Sequence, residues 1–368
     1  MRGPALTYSR SGFVPHRRGA PKGFGVIRWG MCMSTVDHTW SDPRSRATEY
    51  RARSGSALDT IGNTPLVPMT RLTADTGVTI LLKLEYFNPT GSYKDRMALA
   101  MVEQAERRGE ITPGSTTIVE YTGGSTGSSL SFVCAVKGYR LLIVTSDAFS
   151  EEKIRTMTSM GAEVVIEPSV GGKITPDLMP RIIDRTRKLA EQPGTYWTDQ
   201  FNNPDNALGQ QTMGQEILAQ TEGRVAAFVA SVGTAGCAMG VATVLKAHDR
   251  AIEVHVVEPD TSAVISGGPA GTHGIEGIAL GFVPPLLDRE LVDDVIVVDE
   301  ADARAMANRL ATEEGIFAGT STGANVVAAL RLAAARPDLG TIVVPAVDSG
   351  LKYISTDLYP KPSLTIGN

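Results

Sequence analysis

Cysteine is scarce in this chain. Cys32, Cys134 and Cys237 are all there is, with no even framework and no Cys-x-x-Cys pair, which argues against a disulfide-built secreted module and against a zinc finger. No apolar run approaches the ~18 residues a membrane helix needs, so no membrane is expected. Basic residues are in deficit: 35 Lys and Arg face 40 Asp and Glu, a net charge of -5. The chain therefore has no overall bias toward nucleic acid. His248, His255 and His273 lack metal-ligand spacing and read as structural or surface residues, so no metal is expected. What is present is 368 residues, 42% hydrophobic and 20% charged. That suits a globular chain of roughly two domains of 100–200 residues, with cores that need no staples.

The charge is uneven. Residues 1–36 hold Arg2, Arg10, Arg17, Arg18, Lys22 and Arg28 and no acid, and Asp37 is the first. This leader is rich in glycine and proline and has no apolar h-region, so it is not a secretory signal. It fits a transit peptide, a disordered tail, or translation read from upstream of a start at Met31 or Met33. Residues 1–50 are set aside as a basic leader that folding and activity do not need.

From about residue 60 short β-rich runs alternate with helical ones. Strands are predicted at 80–84, 116–119, 140–145, 163–166, 226–230, 253–257, 295–298 and 341–344. Helices are predicted at 95–108, 130–137, 151–160, 180–191, 206–220, 237–247, 301–314 and 323–335. Met97, Ala100, Met101 and Ala105 fall at helical spacing, and Gly138 and Gly161 close their helices. Apolar strands alternating with helices imply mostly parallel sheets covered on both faces. The expectation is an α/β chain of two three-layer domains, 51–205 and 206–368, whose first strands pack on the other domain, with a ligand cleft between the two.

Three stretches carry candidate chemistry. Thr122-Gly-Gly-Ser-Thr-Gly127 lies between a strand and a helix; its glycines and hydroxyls at a helix start suit a carboxylate or phosphate, though a polar capping turn would look alike. Ser231-Val-Gly-Thr-Ala-Gly-Cys237 repeats the arrangement, and its amides form an anion cradle. It is neither a Walker loop nor a clean GxGxxG. Lys94, in Asn88-Pro-Thr-Gly-Ser-Tyr-Lys-Asp-Arg96, falls in the first turn of its helix, where a cation is disfavoured by about 0.3–1 kcal/mol. That placement favours a neutral, nucleophilic amine, while position alone also fits a solvated lysine offset by Asp95.

These stretches resemble the cysteine synthase and cystathionine β-synthase family of pyridoxal-phosphate enzymes, which has the tryptophan synthase β-like fold. Lys94 in its motif is similar to that family's cofactor lysine. Ile61-Gly-Asn-Thr-Pro-Leu66 resembles its opening motif, Thr122–Gly127 its TSGNTG loop, and Gly233–Cys237 its GTGGT loop. Gly319-Thr-Ser-Thr-Gly-Ala324 resembles its GISSGA segment, and Asp348-Ser-Gly350 with Tyr353 its closing motif. The likeness spans about residues 58–358, in the family's order. It implies that Lys94 links covalently to pyridoxal 5'-phosphate and then moves the α-proton. It also implies that Gly233, Thr234, Ala235, Gly236 and Cys237 hold the phosphate, and that Ser321 faces the pyridine nitrogen. Thr122, Gly123, Ser125, Thr126 and Gln200 would bind the substrate carboxylate or, for Ser125, the cofactor's ring oxygen. A hydroxyl at Ser321 leaves the ring a weaker electron sink than a carboxylate would, which suits quick loss of a β leaving group; on its position, Ser321 also fits a helix cap.

The chain departs from the pattern at several points. Ser125 stands for the family's asparagine, Gly123 for its serine, Ala235 and Cys237 for glycine and Thr or Ser, and Glu276 for a common glutamine. Gly123 is expected to remove one carboxylate donor and enlarge the pocket. The implied activity is β-replacement on an O-activated serine such as O-acetylserine, through an aminoacrylate that takes up sulfide or another nucleophile. The rivals are a lyase (cysteine desulfhydrase or serine/threonine dehydratase) and a non-catalytic relative, against which Lys94 speaks. A cytoplasmic homodimer acting on a small amino acid is expected.

Overall fold

The structure is a computed structural model and describes residues 55–74, 76–171 and 177–361. The leader, residues 1–50, lies outside the described residues. In chain order the strands are β1 (Leu66–Pro68), β2 (Thr79–Leu84), β3 (Thr117–Tyr121), β4 (Arg140–Ser146), β5 (Glu163–Glu167), β6 (Thr195–Trp197), β7 (Ala227–Ser231), β8 (Glu253–Pro259), β9 (Asp294–Val298) and β10 (Thr341–Ala346). The helices are α1 (Lys94–Arg107), α2 (Ser125–Lys137), α3 (Glu151–Ser159), α4 (Leu178–Ala190), α5 (Asp205–Thr221), α6 (Gly236–His248), α7 (Glu300–Arg309) and α8 (Thr320–Ala335).

The strands form two sheets, one ordered β1-β2-β10-β7-β8-β9 and the other β5-β4-β3-β6. Every pairing is parallel except β1 with β2. β1 and β2, although early in the chain, thus lie in the sheet of the late strands; Ile342 sits between Ile80 and Ala227. Apolar continuity follows from burial on both faces: all five residues of β7 are buried. Met97, Met101, Ile118, Leu130 and Ile143 form the core beside the smaller sheet. Ile80, Leu82, Val229, Val326 and Val344 belong to the core of the larger one.

Two strands were not expected, β1 and β6, each three residues long and too short to show a period. Two helices begin earlier than composition suggests, α2 at Ser125 and α8 at Thr320. Both starts are runs of small hydroxyl residues that read as loop. Burial of Thr126, Ser128 and Ser129, and of Thr320–Thr322, draws them into helix. The helix predicted at 301–314 ends as regular helix at Arg309 and closes with one wider turn, Leu310–Glu314. Parallel strands place ligand-binding loops beyond their carboxyl ends, and here the loops after β3, β4, β7 and β10 all reach one cleft.

Candidate active site

The residues flanking Lys94 form its mounting. The Asn88 side chain accepts from Gly62 N at 2.8 Å and donates to the Glu85 carbonyl and carboxylate, each at 2.8 Å. Asp95 accepts from the amide and hydroxyl of Thr90 at 2.8 and 2.5 Å, so its carboxylate secures the preceding loop. Arg96 donates through Nε to Glu85 at 2.8 Å and through both terminal nitrogens to Glu216 at 2.7 and 2.8 Å. Lys83, fully buried on β2, donates to the Thr64 carbonyl, Gln220 and Glu216 at 2.7–2.8 Å. Burial pushes the Glu216 carboxyl up, but Arg96 and Lys83 outweigh it and hold it down at about 2. Two bases and two acids thus cancel where α1 meets β2 and α5, and they fix the start of α1. Lys94 itself projects half-buried into the cleft, its Nζ 4.9 Å from the Tyr93 ring centroid. Desolvation lowers its pKa to about 8, against the pull of Asp348 and Glu120.

The 122–127 loop crosses from β3 into α2. Thr126 donates to Gln200 Oε1 at 2.7 Å, and Gln200 Nε2 donates to the Tyr121 carbonyl at 3.0 Å. Beneath them Glu120 is fully buried, and burial pushes its carboxyl up to about 7. It nevertheless accepts from Tyr121 N, Trp197 Nε1, Thr198 Oγ1 and Gln200 N. Four donors on one carboxyl suit its ionised form. Gly123 does not enlarge the cleft as expected: the Phe149 ring stands 2.7 Å from the position a Cβ would take. The loop after β4 fills that space, and no local pattern at residue 123 announces it.

The 231–237 loop joins β7 to α6. Gly233 and Thr234 line the cleft, and Ala235, Gly236 and Cys237 carry the chain on into the first turn of α6. Ala235 takes the left-handed conformation at φ +67°, and Cys237 packs with Tyr93 and Phe228. Burial pushes the Cys237 thiol up to about 12, so it is neutral. A Cβ on Gly236 would overlap the Asn206 side chain. That amide donates to the Gln200 carbonyl at 2.7 Å and to Thr234 Oγ1 at 2.9 Å, coupling this loop to Gln200. The first amides of α6 have no intrahelical acceptor, which leaves them for an anion.

Ser321 is buried, lines the cleft and lies inside the first turn of α8. It is not the cap, a position that Gly319 takes. Beside Gly319, buried Asp348 accepts from the Tyr353 hydroxyl at 2.8 Å, while its second oxygen has no hydrogen-bond partner. Sequence reasoning missed Phe149 and Lys153. Lys153 Nζ pairs with Glu276 from the other sheet's loops and sits 5.3 Å from the Tyr353 ring centroid. The signal available was Glu276 itself, which departs from glutamine and has a lysine to meet.

The cleft measures about 670 Å³ and brings together Lys94, Thr122–Thr126, Gln200, Gly233, Thr234 and Ser321. That volume is typical of a site for a cofactor with a small substrate. Gly233 and Gly236, each closed to any side chain by Gly277 O or Asn206, leave a backbone cradle fit for a phosphate ester. A family model described as "Pyridoxal-phosphate dependent enzyme" matches residues 57–348. A cysteine synthase of Staphylococcus aureus is 42% identical over 301 residues, 81% of this chain and 95% of the relative. The solved cysteine synthase of Entamoeba histolytica superposes with a TM-score of 0.79 at 37% identity, covering 85% of this chain and 93% of that one. A solved O-ureido-L-serine synthase superposes with a TM-score of 0.76 at 39% identity, covering 83% and 95%. With the match running from before β1 to Asp348, this chain belongs to the family of pyridoxal-phosphate dependent enzymes.

Proposed function

We propose that the chain catalyses β-replacement on an O-activated serine such as O-acetylserine, with sulfide or another small nucleophile. The observation that carries this reading is the meeting, in one cleft, of a lysine amine of lowered pKa, two amide-rich helix starts and the Ser321 hydroxyl. The similarity to cysteine synthases points the same way. When bound, pyridoxal phosphate supplies an electron sink for the amino acid's α-carbon. Lys94 holds the cofactor through its amine and moves the α-proton. Gly233–Cys237 hold the phosphate by backbone amides, with Thr234 adding a hydroxyl. Ser321 would serve the pyridine nitrogen as a neutral partner, one that does not fix a proton there. Thr122, Gly123, Ser125, Thr126 and Gln200 hold the substrate's carboxylate, and Phe149 and Lys153 cover that loop from water. A cytoplasmic homodimer accompanies this reading; exposed Phe87, Leu351 and Ile354 offer apolar surface for a partner copy. Among the described residues no helix is long and apolar enough to cross a membrane.

Stopped-flow absorbance with O-acetylserine and other β-substituted alanines tests the reading. The cofactor band should change on mixing and return when sulfide is added, with cysteine as product. Pyruvate and ammonia formed at the same rate without any nucleophile would make the enzyme a lyase instead.

Two predictions concern the cofactor site. Gly236→Ala displaces Asn206 from both Thr234 and Gln200, and Thr234 then loses its aim at the phosphate, so cofactor affinity should fall about a hundredfold, the upper scale of one lost hydrogen bond to a charged group. Equilibrium dialysis against pyridoxal phosphate measures it, and unchanged affinity would remove the loop assignment. In cofactor-stripped protein, acylation of Lys94 should follow a midpoint near pH 8, where an ordinary lysine is under about 1% neutral. Mass spectrometry of the labelled peptide reads the profile; a midpoint above 10 would mean that the amine is solvated.

A further inference from the structure

Lys352 stands on the turn Gly350–Tyr353 that follows β10. Its Cε passes 3.6 Å from the Cβ position of Gly91, and its Nζ donates to Ser125 Oγ at 3.2 Å. Ser125 lines the cleft and Lys352 does not. An ammonium can only donate, so on that side the Ser125 oxygen is an acceptor and its own proton must go elsewhere. Ser131, further along α2, gives its proton to the Gly127 carbonyl at 2.7 Å. Ser125 is the first residue of α2 and has no preceding helical turn to receive one. The cleft is the direction left. Burial lowers the pKa of Lys352, and the charges of Asp348 and Asp95 oppose that shift.

We infer that Lys352 is a positioning residue: its ammonium fixes the Ser125 hydroxyl as a donor aimed at the substrate's α-carboxylate. This rests on the proposed carboxylate role of the 122–126 loop. A cation behind a hydroxyl strengthens it as a donor. The donor matters more here because Gly123 contributes no hydroxyl.

The test titrates the holoenzyme with L-serine and with L-serinamide, which lacks the carboxylate, following the cofactor's visible absorbance. Lys352→Met should weaken L-serine binding about tenfold, the order of one charge-assisted hydrogen bond, and leave serinamide unchanged. Ser125→Ala should do the same. Adding Lys352→Met to Ser125→Ala should then have no further effect, since the lysine acts through that hydroxyl. Lys352→Arg should recover binding to within about threefold of wild type, because a cation again faces the hydroxyl. Equal losses for serine and serinamide, or additive losses in the double variant, would overturn the inference. If Lys352→Met does not fold, Lys352→Gln removes the charge and the same outcomes decide. A wild-type enzyme whose spectrum answers neither L-serine nor O-acetyl-L-serine would count against the proposed function and not against this coupling.

Discussion

Lys94→Ala should lower turnover by at least about three orders of magnitude. On the proposed function its amine has two tasks, to hold the cofactor covalently and to carry a proton. Proton transfer by a positioned group alone is worth about 10²–10⁴ in rate. The fold should survive, because the start of α1 is secured by Asn88, Asp95 and Arg96 and not by the lysine side chain. Stability of the cofactor-free variant should rise at neutral pH. A lysine whose folded pKa is lowered to about 8 binds fewer protons folded than unfolded between pH 8 and 10, so keeping it charged at pH 7 costs stability. Borohydride should fix cofactor onto the wild-type protein at Lys94 and not onto the variant. Turnover within tenfold of wild type would take Lys94 out of the chemistry.

Arg96→Met should destabilise the chain by about 3–5 kcal/mol, the cost of breaking a buried ion pair from one side. Glu85 is fully buried and would keep hydrogen bonds only from the neutral Thr64 and Asn88 side chains, with Lys83 acting on it at longer range. Glu216 would retain Lys83. In a chain of this size the melting temperature should drop by roughly 10 °C. The acid limb should change as well. The carboxyl of Glu216, held at about 2 against an ordinary 4.5, contributes stability that is present above pH 4.5 and lost as pH falls toward 2. Without Arg96 that loss should shrink, so variant and wild type converge in acid. Urea unfolding at pH 7 and pH 3 measures both terms, and a variant as stable as wild type at pH 7 would show the cluster to be dispensable.

Arg96 and Lys94 sit two residues apart, yet the sequence speaks of them differently. The position of Lys94 at a helix start is legible locally, because helical spacing begins there and the residues before it break helix. The alternation of strands and helices is legible for the same reason, as are the glycine-rich turns before α2 and α6. Each is a property of a few consecutive residues. β1 and β6 escape because three residues carry no period. The early starts of α2 and α8 escape because hydroxyl residues favour turns until burial overrides them.

Propensity and periodicity act over one element, and they carry the α/β class, the helix start that bears Lys94 and the glycine-rich turns before α2 and α6. What surrounds them is set by packing between distant segments. Lys83 and Glu216 meet Arg96 and Glu85 from distant parts of the chain. Phe149 closes the space over Gly123, Lys153 crosses to Glu276, and Lys352 reaches Ser125 from the far end. Such meetings depend on how two sheets present their loops to one cleft, and no local pattern carries that information.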